Sequence, residues 1–129
     1  MAFTNFIYNV YIVEIFLSLL NKTLIILCNK DEYNNPGLLS NLINKYKVEG
    51  IVSPPTRINY YIKNENFRNS IISLSHICFG GEVIKIDFLK KISEYTNADL
   101  YCGYGTTEIS ISCVYKHINN IKKIINNNE

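Results

Sequence analysis

Four of the six glycines in this chain fall in two short loops, Gly80-Gly81 and Gly103-Tyr104-Gly105. Each loop follows a run of strand type, Ser75 to Phe79 before the first and Leu100-Tyr101-Cys102 before the second. In open α/β sheets ligands gather beyond the carboxyl ends of strands. A residue without Cβ there lets backbone N–H groups approach an anion or a flat ring. The second loop adds an aromatic ring at Tyr104, hydroxyls at Thr106 and Thr107, and a carboxylate at Glu108. Together these offer stacking, phosphate contacts and a hard ligand for a divalent cation, which suits a nucleotide. The same spacing also fits two tight turns with solvated polar residues, since glycine-rich βα turns are common in α/β folds.

The elements that must carry these loops are legible from periodicity. Apolar residues crowd at helical spacing from Val10 to Leu20, and Thr23-Leu24-Ile25-Ile26-Leu27 has the composition of a buried strand. Asn35 followed by Pro36 is a cap with proline at the first helical position. Leu38, Leu39, Leu42, Ile43 and Tyr46 then repeat at three-to-four spacing before Gly50. Ile51-Val52-Ser53 runs into Pro54-Pro55-Thr56, whose prolines end any ladder because neither offers a backbone N–H. A short helix is expected over Arg57 to Lys63, and Ile84, Phe88 and Ile92 mark the apolar stripe of another that closes near Tyr95. Helix and strand in alternation predict an α/β fold with a largely parallel sheet. The unit is expected to span residues 1–115, with a polar, frayed tail over 116–129 that ends in Asn126-Asn127-Asn128-Glu129.

At 129 residues the chain bounds one modest domain or less. Thirteen basic against eleven acidic residues leave a net charge of +2, and no run of Lys or Arg exceeds a pair such as Lys122-Lys123, so nucleic acid is not an expected partner. Cys28, Cys78, Cys102 and Cys113 lack the short gaps of zinc or redox motifs and sit in or beside apolar stretches, as reduced thiols of a cytoplasmic protein do. His76 lies two residues before Cys78, a pair too small to define a metal site. Glu14, Asn21 and Lys22 interrupt the apolar stretch from Val10 to Cys28, whereas a spanning helix needs about 20 apolar residues. No basic region precedes the first apolar residues, which argues against a secretory signal, and no membrane association is expected.

Three stretches together resemble the adenylation domains of nonribosomal peptide synthetases, within the adenylate-forming ligases. Phe3-Thr4-Asn5-Phe6 and Tyr8-Asn9-Val10-Tyr11-Ile12-Val13-Glu14-Ile15-Phe16 resemble the family segment Phe-Asp-x-Ser-x-x-Glu-x-Phe. Ile77-Cys78-Phe79-Gly80-Gly81-Glu82 is similar to the family's Gly-Gly-Glu turn, and Tyr104-Gly105-Thr106-Thr107-Glu108 to Tyr-Gly-Pro-Thr-Glu. Their order and intervals are family-like as well. The resemblance implies part of the large N-terminal region of such a ligase, using ATP with Mg²⁺ and forming AMP. It implies that Tyr104 stacks on adenine, with the Gly80-Gly81-Glu82 backbone lining the other side of the base and Cys102, Gly103, Gly105 and Thr106 completing the nucleotide loop. Thr107 is then the α-phosphate contact and Glu108 the Mg²⁺ ligand. Asn9, Val10, Val13, Thr56, Ile77, Phe79, Gly103 and Ile111 are implied to line the side-chain pocket of a small-molecule acid, although core packing satisfies Val10, Val13, Ile77, Phe79 and Ile111 equally well.

The departures are informative. Asn9 stands where the family usually has an Asp that pairs with the substrate's α-ammonium, so a hydroxy, keto or aryl acid is a possible substrate beside an amino acid. Cys102 replaces an Asn that usually bonds the adenine amino group, and Thr106 replaces a proline. The region of Asn21-Lys22-Thr23 lacks the family's Gly-x-Thr turn. A Ser/Thr/Gly-rich phosphate loop, a later ribose-binding Asp and a C-terminal subdomain with a catalytic lysine are also missing. The expectation is therefore a fragment that does not turn over alone. Its partners would be the remainder of a parent adenylation domain and a carrier domain bearing phosphopantetheine. An acyl-CoA synthetase-like fragment and a non-catalytic remnant or interaction domain are the competing readings.

Overall fold

The computed structural model describes residues 1–2, 10–105 and 114–117. In chain order the elements are α1 (Val10–Leu20), α2 (Lys30–Asn34), α3 (Pro36–Tyr46), β1 (Gly50–Ser53), α4 (Pro55–Tyr61), α5 (Glu65–Ser70), a 3₁₀ turn (Ile71–Ser73), β2 (His76–Phe79), α6 (Ile86–Ser93), β3 (Asp99–Tyr104) and β4 (Val114–His117). Asparagine starts three of the helices by accepting orphan N–H groups. Asn29 Oδ1 accepts from Asp31 and Glu32, and Glu32 reaches back to the Asn29 N–H in a capping box. Asn35 accepts from Gly37 and Leu38 ahead of α3, and Asn64 accepts from Phe67 in α5.

The strands lie in the order β1-β2-β3-β4. β1, β2 and β3 pair in parallel, and β4 closes one side antiparallel to β3. The fold is thus α/β with a largely parallel sheet. Two-residue alternation puts Ile51, Ser53, Ile77, Phe79 and Leu100 on one face, and all five are buried. The helices supply the facing layer: Leu39 and Ile43 from α3, Ile58 and Tyr61 from α4, Phe67 from α5, and Leu89 and Ile92 from α6 join them in one core. Within it the Tyr61 and Phe67 rings lie 5.1 Å apart, tilted by 47°. The Tyr61 hydroxyl donates to the Tyr33 carbonyl at 2.6 Å, so the phenol is satisfied where α4 meets the end of α2.

The other face of the sheet carries half-buried Val52, Cys78 and Tyr101, with His76 and Asp99 exposed. Parallel sheets are ordinarily covered on both faces. The His76 imidazole lies across its register partner Gly50, where a Cβ would collide with the ring. Helix α1 shows the same incompleteness, since Ile12, Phe16, Leu19 and Leu20 are all exposed, Leu20 at 76%.

Three expectations change. The buried strand over Thr23-Leu27 is instead an extended segment joined by a single parallel bridge, Ala2 to Leu27, with Leu24 77% exposed. A strand needs a ladder as well as apolar residues, and among the described residues this segment has only that one bridge. The helix expected at Arg57 begins two residues earlier, because Pro55 is a favourable first helical residue. The sheet also gains β4, which pairs Lys116 with Cys102 and reaches His117. Among the described residues no helix is long and apolar enough to cross a membrane.

The core assignment predicts that Phe67→Ala lowers the unfolding free energy by about 3–5 kcal/mol. Leu24→Ala, on the exposed segment, changes it by less than about 0.5 kcal/mol. Urea denaturation of the two variants measures the difference.

Candidate functional site

β2 and β3 run side by side in the same direction, and their last common pair is Phe79 with Cys102. The two glycine loops therefore leave the sheet together at its carboxyl end. A Cβ on Gly80 would lie 3.5 Å from the Gly103 carbonyl oxygen, so the first turn lies beside the end of β3. Gly81 has φ +80°, a conformation that glycine adopts without strain. A Cβ on Gly81 would meet nothing within 4 Å, so one side of this turn faces open space. Tyr104, the last residue of β3, is 65% exposed, and Gly105 is exposed after it. Gly103 is buried and Cys102 half-buried. Gly80, Gly81, Gly103 and Gly105 thus make a glycine-rich shelf at the carboxyl end of the sheet, with Tyr104 exposed at the end of β3.

Glu82 turns away from this shelf. Its Oε2 accepts the Thr56 backbone N–H at 3.1 Å, and its Oε1 accepts the Thr56 hydroxyl at 2.6 Å. Beside this pair is a cavity of about 340 Å³ between α4 and α6, lined by Pro55, Asn59, Phe88 and Lys91 among others. Lys91 Nζ donates to Asn59 Oδ1 at 2.9 Å across it. Sequence reasoning missed this wall. Its residues come from two helices, and only the Pro54-Pro55 break, which marks the carboxyl end of β1, hints at it.

The structure brings Thr56, Gly80, Gly81, Glu82, Cys102, Gly103, Tyr104 and Gly105 to one end of the sheet. Ile77 and Phe79 do not present a pocket surface: both are fully buried on the helical face, and the Phe79 ring meets Phe88 edge-on at 5.1 Å. Strand parity places them there, because they alternate with the residues of the other face, and core packing accounts for both. Val10 is half-buried at the start of α1, and Val13 lies within the same helix. Asn9, Thr106, Thr107, Glu108 and Ile111 lie outside the described residues. So does Cys113.

Burial pushes the Cys78 thiol up to about 11, with Cys102 adding to the shift. Burial, aided by Glu32 and Glu14, pushes Cys28 up to about 12. Both stay protonated at neutral pH and are poor nucleophiles. Among the described residues no group of three or more His, Cys, Asp or Glu side chains is arranged to hold a metal ion.

Comparison with known proteins gives the family and the fold. The AMP-binding enzyme family matches residues 1–127. The chain belongs to that family. It is 23% identical over 117 residues to a plipastatin synthase of Bacillus subtilis, covering 90% of this chain and 5% of that protein. It is 30% identical over 80 residues to the human mitochondrial acyl-coenzyme A synthetase ACSM4, covering 62% of this chain and 14% of that protein. The chain thus spans a small part of the length of either relative. Among solved structures, holo-AB3403, a four-domain nonribosomal peptide synthetase bound to AMP and glycine, superposes with a TM-score of 0.83 at 18% identity. That match covers 94% of this chain and 9% of the other. The Vibrio cholerae adenylation domain AlmE, in complex with glycyl-adenosine-5'-phosphate, gives 0.76 at 19% identity, covering 88% and 21%. The fold is that of the N-terminal region of adenylate-forming ligases.

The turn geometry makes a direct prediction. Gly81→Ala forces a side chain into the left-handed region and costs about 1 kcal/mol. Gly80→Ala, whose Cβ meets the Gly103 oxygen at ordinary contact distance, costs less. Chemical denaturation of both variants tests the order.

Proposed function

We propose that this chain forms part of the nucleotide and acid site of an adenylate-forming enzyme that prepares an amino, hydroxy or aryl acid for nonribosomal peptide assembly. The observation that carries the reading is the closeness of the Gly80 turn to Gly103 at the carboxyl ends of parallel neighbours, with Tyr104 exposed at the end of β3. In this reading Tyr104 stacks on the adenine of ATP or AMP, and the backbone of Gly80, Gly81 and Glu82 lines the opposite side. Cys102, Gly103, Gly105 and Thr106 shape the remainder of the loop. The absence of any atom within 4 Å of a Cβ position at Gly81 supports this reading, since it leaves that side of the turn open.

The reaction joins a carboxylate oxygen of the acid to the α-phosphorus of ATP as the bond from that phosphorus to pyrophosphate breaks. Thr107 donates to the α-phosphate, where negative charge gathers. Glu108, a hard oxygen ligand, would hold Mg²⁺, which supplies charge neutralisation when bound. Asn9, Val10, Val13, Thr56, Gly103 and Ile111 are assigned to the acid side. The neutral amide of Asn9 suits a hydroxyl or keto group better than an ammonium. The exposed apolar face of α1 and the half-covered second face of the sheet support packing against the remainder of a parent adenylation domain. A carrier domain with phosphopantetheine would accept the acyl group.

A second reading, an acyl-CoA synthetase, is favoured by the 30% identity to the human acyl-coenzyme A synthetase, above the 23% to the plipastatin synthase. The coverage of 90% against 62% of this chain weighs for the first. Pyrophosphate exchange by a full-length adenylation domain containing these residues, run over amino, hydroxy, aryl and fatty acids, separates the two. Exchange driven by hydroxy or aryl acids is the expected result. Exchange with fatty acids alone establishes the second reading, and no exchange with any acid overturns both.

A further inference from the structure

The turn at Gly80-Gly81 joins β2 to the segment leading into α6, and Gly81 has nothing packed where a side chain would be. Glu82 restrains it directly through Thr56. Helix α4 needs a partner of its own: Pro54, at its cap position, makes no side-chain capping bond, and Pro55 has no N–H to give. Glu82 meets both needs at once. One carboxylate oxygen takes the Thr56 N–H and the other takes the Thr56 hydroxyl, so a residue 26 positions away caps the helix. A carboxylate at a helix N-terminus is electrostatically favoured. With both oxygens engaged by one residue, the carboxylate is fixed in direction and the backbone of residue 82 is fixed with it.

We propose that Glu82 is a positioning residue of the nucleotide site, clasped to Thr56 so that the Gly80-Gly81 backbone is presented to the base while the carboxylate is kept off the phosphates. The inference rests on the nucleotide reading above and deepens it. Glu82 acts through the turn rather than by touching the ligand, and Thr56 serves the turn ahead of the acid. The clasp also ties the carboxyl end of β1 to that of β2, so the shelf is set by two strand ends instead of one.

The test uses this chain with Thr56→Val, Thr56→Ser, Glu82→Ala and the Glu82→Ala, Thr56→Val double variant. Two readouts are taken: the amide resonances of Gly80, Gly81 and Gly103, and the affinity for AMP by NMR titration. Thr56→Val and Glu82→Ala are each expected to shift the Gly80 and Gly81 amides and to weaken AMP about fivefold. Thr56→Ser, which keeps the hydroxyl, is expected to restore both. The double variant is expected to be no weaker than the worse single variant, as for two ends of one interaction. Unchanged glycine resonances and unchanged AMP affinity in both single variants overturn the clasp, as do losses that add in the double variant. Loss of heat stability with AMP affinity intact reduces the pair to a helix cap and also overturns it. A full-length adenylation domain containing these residues that fails to bind AMP overturns the nucleotide reading itself, while the glycine resonances of this chain still report whether the clasp sets the turn.

Discussion

Parallel pairing of β2 with β3 is the constraint on which the rest of the structure depends. Parallel strands need a crossover between them, and here that crossover is α6 with its flanking loops. Both strands then point the same way, and their carboxyl ends must open side by side. The register, Ile77 with Leu100 and Phe79 with Cys102, sets Gly80 beside Gly103. An antiparallel pairing would place the two glycine loops at opposite ends of the sheet. A one-residue slip would turn Ile77 and Phe79 out of the core.

That register is enforced by burial. Ile51, Ile77, Phe79 and Leu100 form a continuous apolar surface against α3, α4, α5 and α6, and Phe79 and Phe88 lock the sheet to the helix that follows the first glycine turn. The same element that buries the core therefore sets the turn's position. The opposite face of the sheet is only half covered, and α1 presents apolar side chains to solvent. The described residues are well packed on one side and open on the other. The chain covers 9% of one solved relative, a four-domain protein, and 21% of another.

Much of this was legible in the sequence because the signals were local. Asn35-Pro36 announced α3, the Pro54-Pro55 pair ended β1, and the glycine pairs marked the strand ends that carry the candidate site. Other features were not local. Apolar content at Thr23-Leu27 suggested a strand, but composition cannot say whether a neighbouring strand offers a ladder. α2 and α5 are too short to show a full apolar period, and only their Asn caps betray them. Ile77 and Phe79 could be placed on a strand from sequence, whereas the side they face depends on pairing that sequence does not display. The Glu82 and Thr56 pair joins residues far apart in the chain, and nothing in either segment announces the other.

The central claim is that the two glycine loops form one shelf for a purine. The most direct measurement is the nuclear Overhauser effect between the adenine protons of AMP and this chain. The account predicts transfer from adenine H2 or H8 to both the Tyr104 ring and the Gly81 amide, in one bound orientation. Transfer confined to residues of the opposite end of the sheet, such as His76 or Asp99, would contradict it.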